Sequence, residues 1–329
     1  MSGRGGRRAG AIVTVPPHAG FLDEVAAHPF VVGLRLNTVM PIKGELGPAL
    51  ARLAGLGQPL WIDLKGRQLR VAAAAVPPFT AVELSHRISV RTPTVAVFGG
   101  GRETARVLEV DGNRLILEDG PRRVLGPGES VNIPDPTLQV DGLLTPRDVE
   151  FVRAAQELDL HDFMLSFAER EEDLAAVRAL DPRARLVAKV ESQAGLELAA
   201  RRPAGVRLMA ARGDLYLELE RPHRVLAAMR RVLAADPQAI AASRILDGLA
   251  WEREPRCAEL SDVAWLLGLG YRTLLLGDEV CLRRDTVIPA LNLLEAIAAD
   301  CDCDCGAPPH TPSGAASLAP LRRAHAGGL

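Results

Sequence analysis

At 329 residues, with 48% hydrophobic and 24% charged residues and a formal net charge of −2, the chain can bury a large core. It has no surplus of positive charge to suit nucleic acid or an anionic membrane as partner. Apolar runs such as 272–276 are strand-length rather than membrane-spanning, and the apolar stretch 11–15 behind the basic start runs straight into Pro16-Pro17, too short for a secretory signal.

The chain therefore reads as a cytoplasmic protein with a disordered start over 1–10. Its five cysteines form no disulfide framework in a chain this long, and Cys301, Cys303 and Cys305 lie in one CDCDC tract. That tract suits a soft metal in principle, but no histidine lies close and its setting is that of a disordered tail, expected over 301–329. The only lysines are Lys43, Lys65 and Lys189, with arginine supplying every other basic side chain. A lysine kept in such a chain is a candidate for work that a guanidinium cannot do, although for Lys43 chance retention suffices.

Taken in order, β-branched apolar runs alternate with segments of helical period. Strands are predicted at 11–15, 31–37 and 59–65, with helices after the first two. From 68 to 134 the rhythm breaks into short alternating strands with turn signals, the plainest being Asp111-Gly112-Asn113, and this stretch reads as a small inserted β-domain. Its Gly99-Gly100-Gly101 run could cradle a phosphate, but no helix follows and a flexible turn explains it as well. Alternation resumes with a helix over 144–158, where Thr145 and Pro146 give an N-cap and a proline at the first helical position. Strands follow at 162–167, 185–191, 205–214, 239–245 and 272–277, each leading into a helix, the last over 287–299. Eight strands of continuous apolar character, each followed by a helix, imply an α/β fold: a (β/α)8 TIM barrel over 11–67 and 135–300, with the insert at 68–134 as a lid after the third strand.

Polar residues gather at the carboxyl ends of these strands: Arg35 and Asn37, Asp63 and Lys65, Ser166, Lys189 and Glu191, Arg212 and Asp214, Ser243 and Arg244, Asp278 and Glu279. Charged side chains in apolar strands need partners or ligands, and this rim is where barrel enzymes do chemistry. Rim salt bridges are the plain alternative. Lys189 and Glu191 are two apart, so both face the barrel mouth, and Asp214 comes from the next strand. Two converging carboxylates suit Mg²⁺ or Mn²⁺, and an ammonium beside them would stabilise negative charge on a transferred phosphoryl group or an enolate oxygen.

Seven segments taken together, RLN (35–37), IDLKG (62–66), LTPRD (144–148), SF (166–167), AKVES (188–192), MAARGDL (209–215) and PRCAELSDVA (255–264), resemble motifs of the pyruvate kinase family, in the family's order. The resemblance covers roughly 11–300 and includes the lid, while the family's C-terminal regulatory domain has no counterpart. It implies that Glu191 and Asp214 hold the divalent metal and that Lys189 stabilises the phosphoryl group and the enolate. It also implies that Arg35 contacts phosphate, that the backbone of Ala211, Arg212 and Gly213 meets the substrate carboxylate, and that Ser243 serves enolate protonation. Asn37 and Asp63 match two ligands of the family's K⁺, and Asn37 and Arg70 are the candidate nucleotide contacts.

The departures are Val39 and Met40 for a serine and a histidine, Leu64 for a threonine, Tyr216 for a glycine, and Gly277-Asp278-Glu279 for a Ser-Gly-Glu run. They leave three readings open. The first is phosphoryl transfer from phosphoenolpyruvate to ADP, giving pyruvate and ATP, by a protein that is a possible homo-oligomer. The second is metal-dependent enolate chemistry on pyruvate or another 2-oxo acid, of aldolase or lyase type, without nucleotide. The third is a catalytically silent ligand-binding paralogue.

Overall fold

The computed structural model describes residues 8–77 and 81–304. Eight parallel strands close into a barrel in sequence order: β1 (Gly10–Thr14), β2 (Val31–Asn37), β3 (Leu60–Leu64), β4 (Asp162–Leu165), β5 (Arg185–Val190), β6 (Val206–Ala211), β7 (Ile240–Ala242) and β8 (Thr273–Leu276). β8 pairs back onto β1, with Val13 opposite Leu276. Both faces of such strands are covered, which is why they read as continuous apolar runs rather than alternating ones. Ile12, Met164, Val187, Met209, Ile240 and Leu275 fill the barrel interior, while Leu34, Phe163, Ala210 and Leu274 belong to the larger core under the helices.

The helices are α1 (Leu22–Ala27), α2 (Leu46–Ala54), α3 (Pro146–Glu157), α4 (Glu171–Leu180), α5 (Gln193–Arg201), α6 (Arg212–Glu218), α7 (Val225–Ala235), α8 (Cys257–Leu269), a single turn α9 (Asp278–Cys281) and α10 (Arg284–Asp304). Among the described residues none is long and apolar enough to cross a membrane. Three elements differ from the sequence reading. The sixth strand stops at Ala211, and the expected extended stretch to Asp214 is instead the first turn of α6. Arg-Gly-Asp-Leu-Tyr-Leu-Glu contains no β-branched residue, and an acid in the first turn suits the positive end of the helix dipole. β7 ends at Ala242 rather than 245, because Ser243 and Arg244 take left-handed backbone angles of φ 72° and 54°. α10 begins at Arg284 and runs on to Asp304. Cys301 lies on it, whereas the side chain of Cys303, all of Cys305 and the segments 1–7 and 305–329 fall outside the described residues.

Between β3 and α3 the chain builds an antiparallel five-stranded sheet whose order is 81–83, 114–117, 103–111, 94–98 and 131–132. Its hairpin turns through Gly112-Asn113 with Asp111 opposite Arg114. Val82, Phe98, Val107, Leu115 and Val131 give it a core of its own.

The start of α3 ties this excursion to the barrel. Thr145 Oγ1 accepts from Asp148 N at 3.0 Å, and the Asp148 carboxylate accepts from Thr145 N at 2.9 Å, a reciprocal cap. The same fully buried carboxylate also accepts from Lys65 N (2.8 Å) and Gly66 N (3.0 Å). It therefore sets the turn at the end of β3, where Gly66 has φ 50° and an added Cβ would lie 2.9 Å from Ser166 O.

Candidate active site

The barrel mouth and the insert enclose a cavity of about 840 Å³. Arg35, Asn37, Asp63, Arg70, Lys189, Glu191, Ala211, Gly213, Asp214 and Ser243 all line it. Arg212 is the one sequence-predicted site residue whose side chain does not reach it.

Lys189 lies at the centre. Its ammonium is buried at 7% exposure and donates to Ser166 Oγ at 2.8 Å and to Asp63 Oδ1 at 3.3 Å, with Glu191 Oε1 at 3.2 Å. Burial alone would drive this amine toward neutrality, but Asp63 and Glu191 together hold its pKa above the ordinary value. Asp63 is fully buried, yet Lys189, Lys65 and Arg35 keep its carboxyl well below the usual range. Glu191 goes the other way: burial pushes it up to about 7, Lys189 opposes this, and neighbouring Asp214 adds to it. Phe167 N, in a left-handed residue at φ 48°, donates to Glu191 Oε2 at 2.7 Å and fixes the carboxylate.

Asp214 stands on the first turn of α6. It accepts from two amides, Gln68 Nε2 at 3.3 Å and Asn132 Nδ2 at 3.2 Å; Asn132 lies in the insert's last strand and also donates to Glu218 at 2.8 Å. Among the described residues no cluster of three acidic, cysteine or histidine side chains forms a ready metal cage, so Glu191 and Asp214 stand as a pair. The pair nonetheless fits a hard divalent ion: both are oxygen donors facing an open cavity, and the uncomfortable charge on Glu191 is what a cation there would relieve.

Arg35 is heavily engaged. It donates to Asp63 through Nε (2.9 Å) and Nη2, and through Nη1 to Thr14 Oγ1 (3.0 Å) and Asp278. Asn37 Nδ2 donates to Asp278 Oδ2 at 2.6 Å. Arg70 donates to Gly128 O at 2.7 Å and to Gln68 Oε1. Around Asp63, two lysine amines approach where the resemblance implies a monovalent cation: Lys189 at 3.3 Å and Lys65 at 3.4 Å. Lys65 Nζ makes no hydrogen bond, and burial pulls its pKa down to about 7 in spite of Asp63.

Ser243 packs so closely over α6 that a Cβ on Gly213 would stand 3.1 Å from its own Cβ. Ser243, Arg244 and Leu246 all have positive φ, and left-handed backbone costs an L-residue about 1–2 kcal/mol. Arg212 is what holds this turn. It donates to the carbonyls of Ser243 and Arg244, both at 2.7 Å, and grips Asp262 of α8 through two bonds of 2.6 and 2.5 Å. The two charge-assisted contacts to the turn offset part of its strain.

Several members of this constellation escaped the sequence reading. Asp278 and Ser166 were visible as strand-end polar residues without a role, and Lys65 as one of three lysines. Gln68 and Asn132 had no signal at all, because only the fold of the insert brings them over Asp214.

These features define a (β/α)8-barrel protein with a lysine set among carboxylates under an inserted β-domain. The family model for the pyruvate kinase barrel domain matches residues 88–281, more than half of the chain. The chain is 34% identical to a pyruvate kinase of Agrobacterium vitis over 188 residues, covering 54% of this chain and 38% of that protein. It is 28% identical to the human pyruvate kinase PKLR over 279 residues, covering 73% of this chain and 48% of that one. A Thermoplasma acidophilum pyruvate kinase is 29% identical over 189 residues, covering 54% and 34% respectively. The chain belongs to the pyruvate kinase family, and it spans less than half the length of each of these relatives.

Proposed function

We propose that the chain is a phosphotransferase of pyruvate kinase type, moving a phosphoryl group from phosphoenolpyruvate to ADP in the cytoplasm. The observation that carries this reading is the Lys189 ammonium held among Ser166, Asp63 and Glu191, with Asp214 lining the same cavity. Glu191 and Asp214 would hold Mg²⁺ or Mn²⁺, which when bound neutralises charge on the phosphoryl and enol oxygens.

The chain's own residues supply the rest. The first N–H groups of α6, at Arg212 and Gly213, with Ala211 beside them, receive the substrate carboxylate, and Arg35 meets the phosphate by exchanging a carboxylate partner for it. The enol C–O–P linkage breaks at the phosphorus–oxygen bond while phosphorus bonds to a terminal oxygen of ADP. Lys189 stabilises the enolate oxygen that is left, which is where charge develops. The enolate carbon then takes a proton from solvent water, delivered by way of the Ser243 hydroxyl that lines the cavity. The test is pyruvate formation from phosphoenolpyruvate and ADP with Mg²⁺ or Mn²⁺. Turnover that disappears in Glu191→Gln supports the reading, and its absence in the unaltered chain overturns it.

One observation favours a second reading, nucleotide-independent enolate chemistry on a 2-oxo acid. Arg35 is already bound by two carboxylates, Asp63 and Asp278. Metal-dependent binding of pyruvate without any phosphoryl transfer would select it.

A further inference from the structure

Five cations besides Arg244 line the cavity near the reacting groups or its mouth, and each is already partnered. Arg35 and Lys189 are bound to Asp63, Arg70 donates to Gly128 O, Arg102 pairs with Glu279 at 3.5 Å, and Arg256 donates to Glu252 at 3.1 Å. Arg244 differs. Among the described residues its side chain makes no hydrogen bond and no salt bridge, although it lines the same cavity and Asp247 lines it too. Its guanidinium lies over the ring of Tyr216, 4.6 Å from the centroid. A guanidinium stacked on an aromatic face keeps its N–H edge free for an anion and has surrendered much of its rotamer freedom beforehand.

The backbone beneath is equally fixed. Arg244 is left-handed at φ 54°, and its carbonyl is held at 2.7 Å by Arg212, itself anchored to Asp262. The residue is thus set on a strained, clamped turn, exposed, held by a ring one turn along α6 from Gly213, with Asp247 as an electrostatic neighbour that it does not bond.

We propose that Arg244 is the anion-recognising arm of this cavity, positioned by Tyr216, and that it receives a second anionic group of the bound small molecule. The inference rests on the reading of this cavity as the substrate site and adds to it a specificity element. The second anion is a distal carboxylate on a 2-oxo acid or the diphosphate of a nucleotide. Both present the oxygen pair that a planar guanidinium fork matches.

The experiment is calorimetric titration of the full chain with Mn²⁺ present, using three probes: pyruvate, which carries no second anion, 2-oxoglutarate and ADP. Arg244→Gln is expected to weaken 2-oxoglutarate or ADP roughly tenfold to a hundredfold, the worth of one charge-assisted hydrogen-bonded contact, and pyruvate by less than about twofold. Whichever probe falls names the source of the anion. Tyr216→Phe keeps the stacked face and should bind as the parent does, Tyr216→Ala should lose part of the same affinity, and Arg244→Lys should lie between. Equal weakening of all three probes, no weakening of either larger anion, or failure of the parent chain to bind either of them overturns the proposal. Thermal melts of each variant exclude unfolding as the cause. Phosphoryl transfer is assayed separately, so a chain that binds these anions but makes no pyruvate refutes the kinase reading and leaves the arm standing.

Discussion

Replacing Glu191 by glutamine keeps the size and polarity of the side chain and removes a charge that works against the fold. The unfolded chain ionises this group near 4.5, whereas burial and Asp214, outweighing Lys189, defer ionisation in the folded state to about 7. Between those values the unfolded state releases its proton and the folded state does not. Folding stability therefore falls as pH rises through that window, by roughly 1.4 kcal/mol per pH unit, or about 3 kcal/mol in all by pH 8. Glutamine escapes this loss, and its amide oxygen can still accept from Phe167 N. Metal-free parent and Glu191→Gln chains should accordingly show similar stability in urea at pH 4.5 and diverge by about 3 kcal/mol at pH 8, with glutamine the more stable. Other shifted groups, such as Lys65, are common to both chains and largely cancel in the difference. A gap that stays constant with pH, or a glutamine variant that is the less stable at pH 8, would falsify the assignment of Glu191 as a carboxylate held in reserve for a cation.

Lys189→Met should remove all turnover while leaving a cooperative melt, since methionine fills a similar volume and Asp63 keeps Arg35 and Lys65; a collapsed melting transition would make Lys189 structural. Rates with and without K⁺ should agree within about twofold, because Val39 and Leu64 offer no side-chain oxygen and the Lys189 ammonium, with the Lys65 amine, already approaches Asp63; a strong K⁺ requirement in a rate assay sinks this. Asp148→Ala strips three backbone N–H groups of their acceptor and should cost roughly 3 kcal/mol in denaturant unfolding. His161 is bonded to Asp181 at 2.6 Å, chiefly raising its pKa, with Asp159 adding to it against burial and Arg183. Its stabilising contribution is present below pH 6.5 and lost as pH rises through the folded value. The stability gap between parent and His161→Asn should therefore shrink from pH 6 to pH 9, and a gap that widens would contradict the bonding seen.

The barrel was legible because its physics is local. Strands covered on both faces must be apolar throughout, and Thr145-Pro146 can hardly do anything but start a helix. The core of the site was legible for a related reason: Lys189 and Glu191, two apart on one strand, must share a face. What the sequence hid depends on contacts between distant segments. Nothing in Gly-Val-Arg-Leu-Met-Ala-Ala itself reveals that the strand stops at Ala211; the reason lies in the helix-favouring segment that follows, against which Ser243 of the next strand's turn packs at Gly213. The backbone of Arg212 was expected at the substrate; its neighbours Ala211 and Gly213 line the cavity, while its own side chain is claimed by Asp262 and two strained carbonyls. Asn132, far along the insert, reaches Asp214 only once the insert has folded over the barrel.

The scarcity of lysine, combined with where the lysines lie, makes the protein unusually easy to address chemically. Lys65 and Lys189 are sealed at 6% and 7% exposure, whereas Lys43 is exposed in the loop that leaves β2 at the barrel's open end. Apart from the α-amino group, an amine-reactive dye therefore has one accessible side chain to find. It would sit on the loop after β2, at the same end of the barrel as the cavity, an optical label that needs no engineered cysteine.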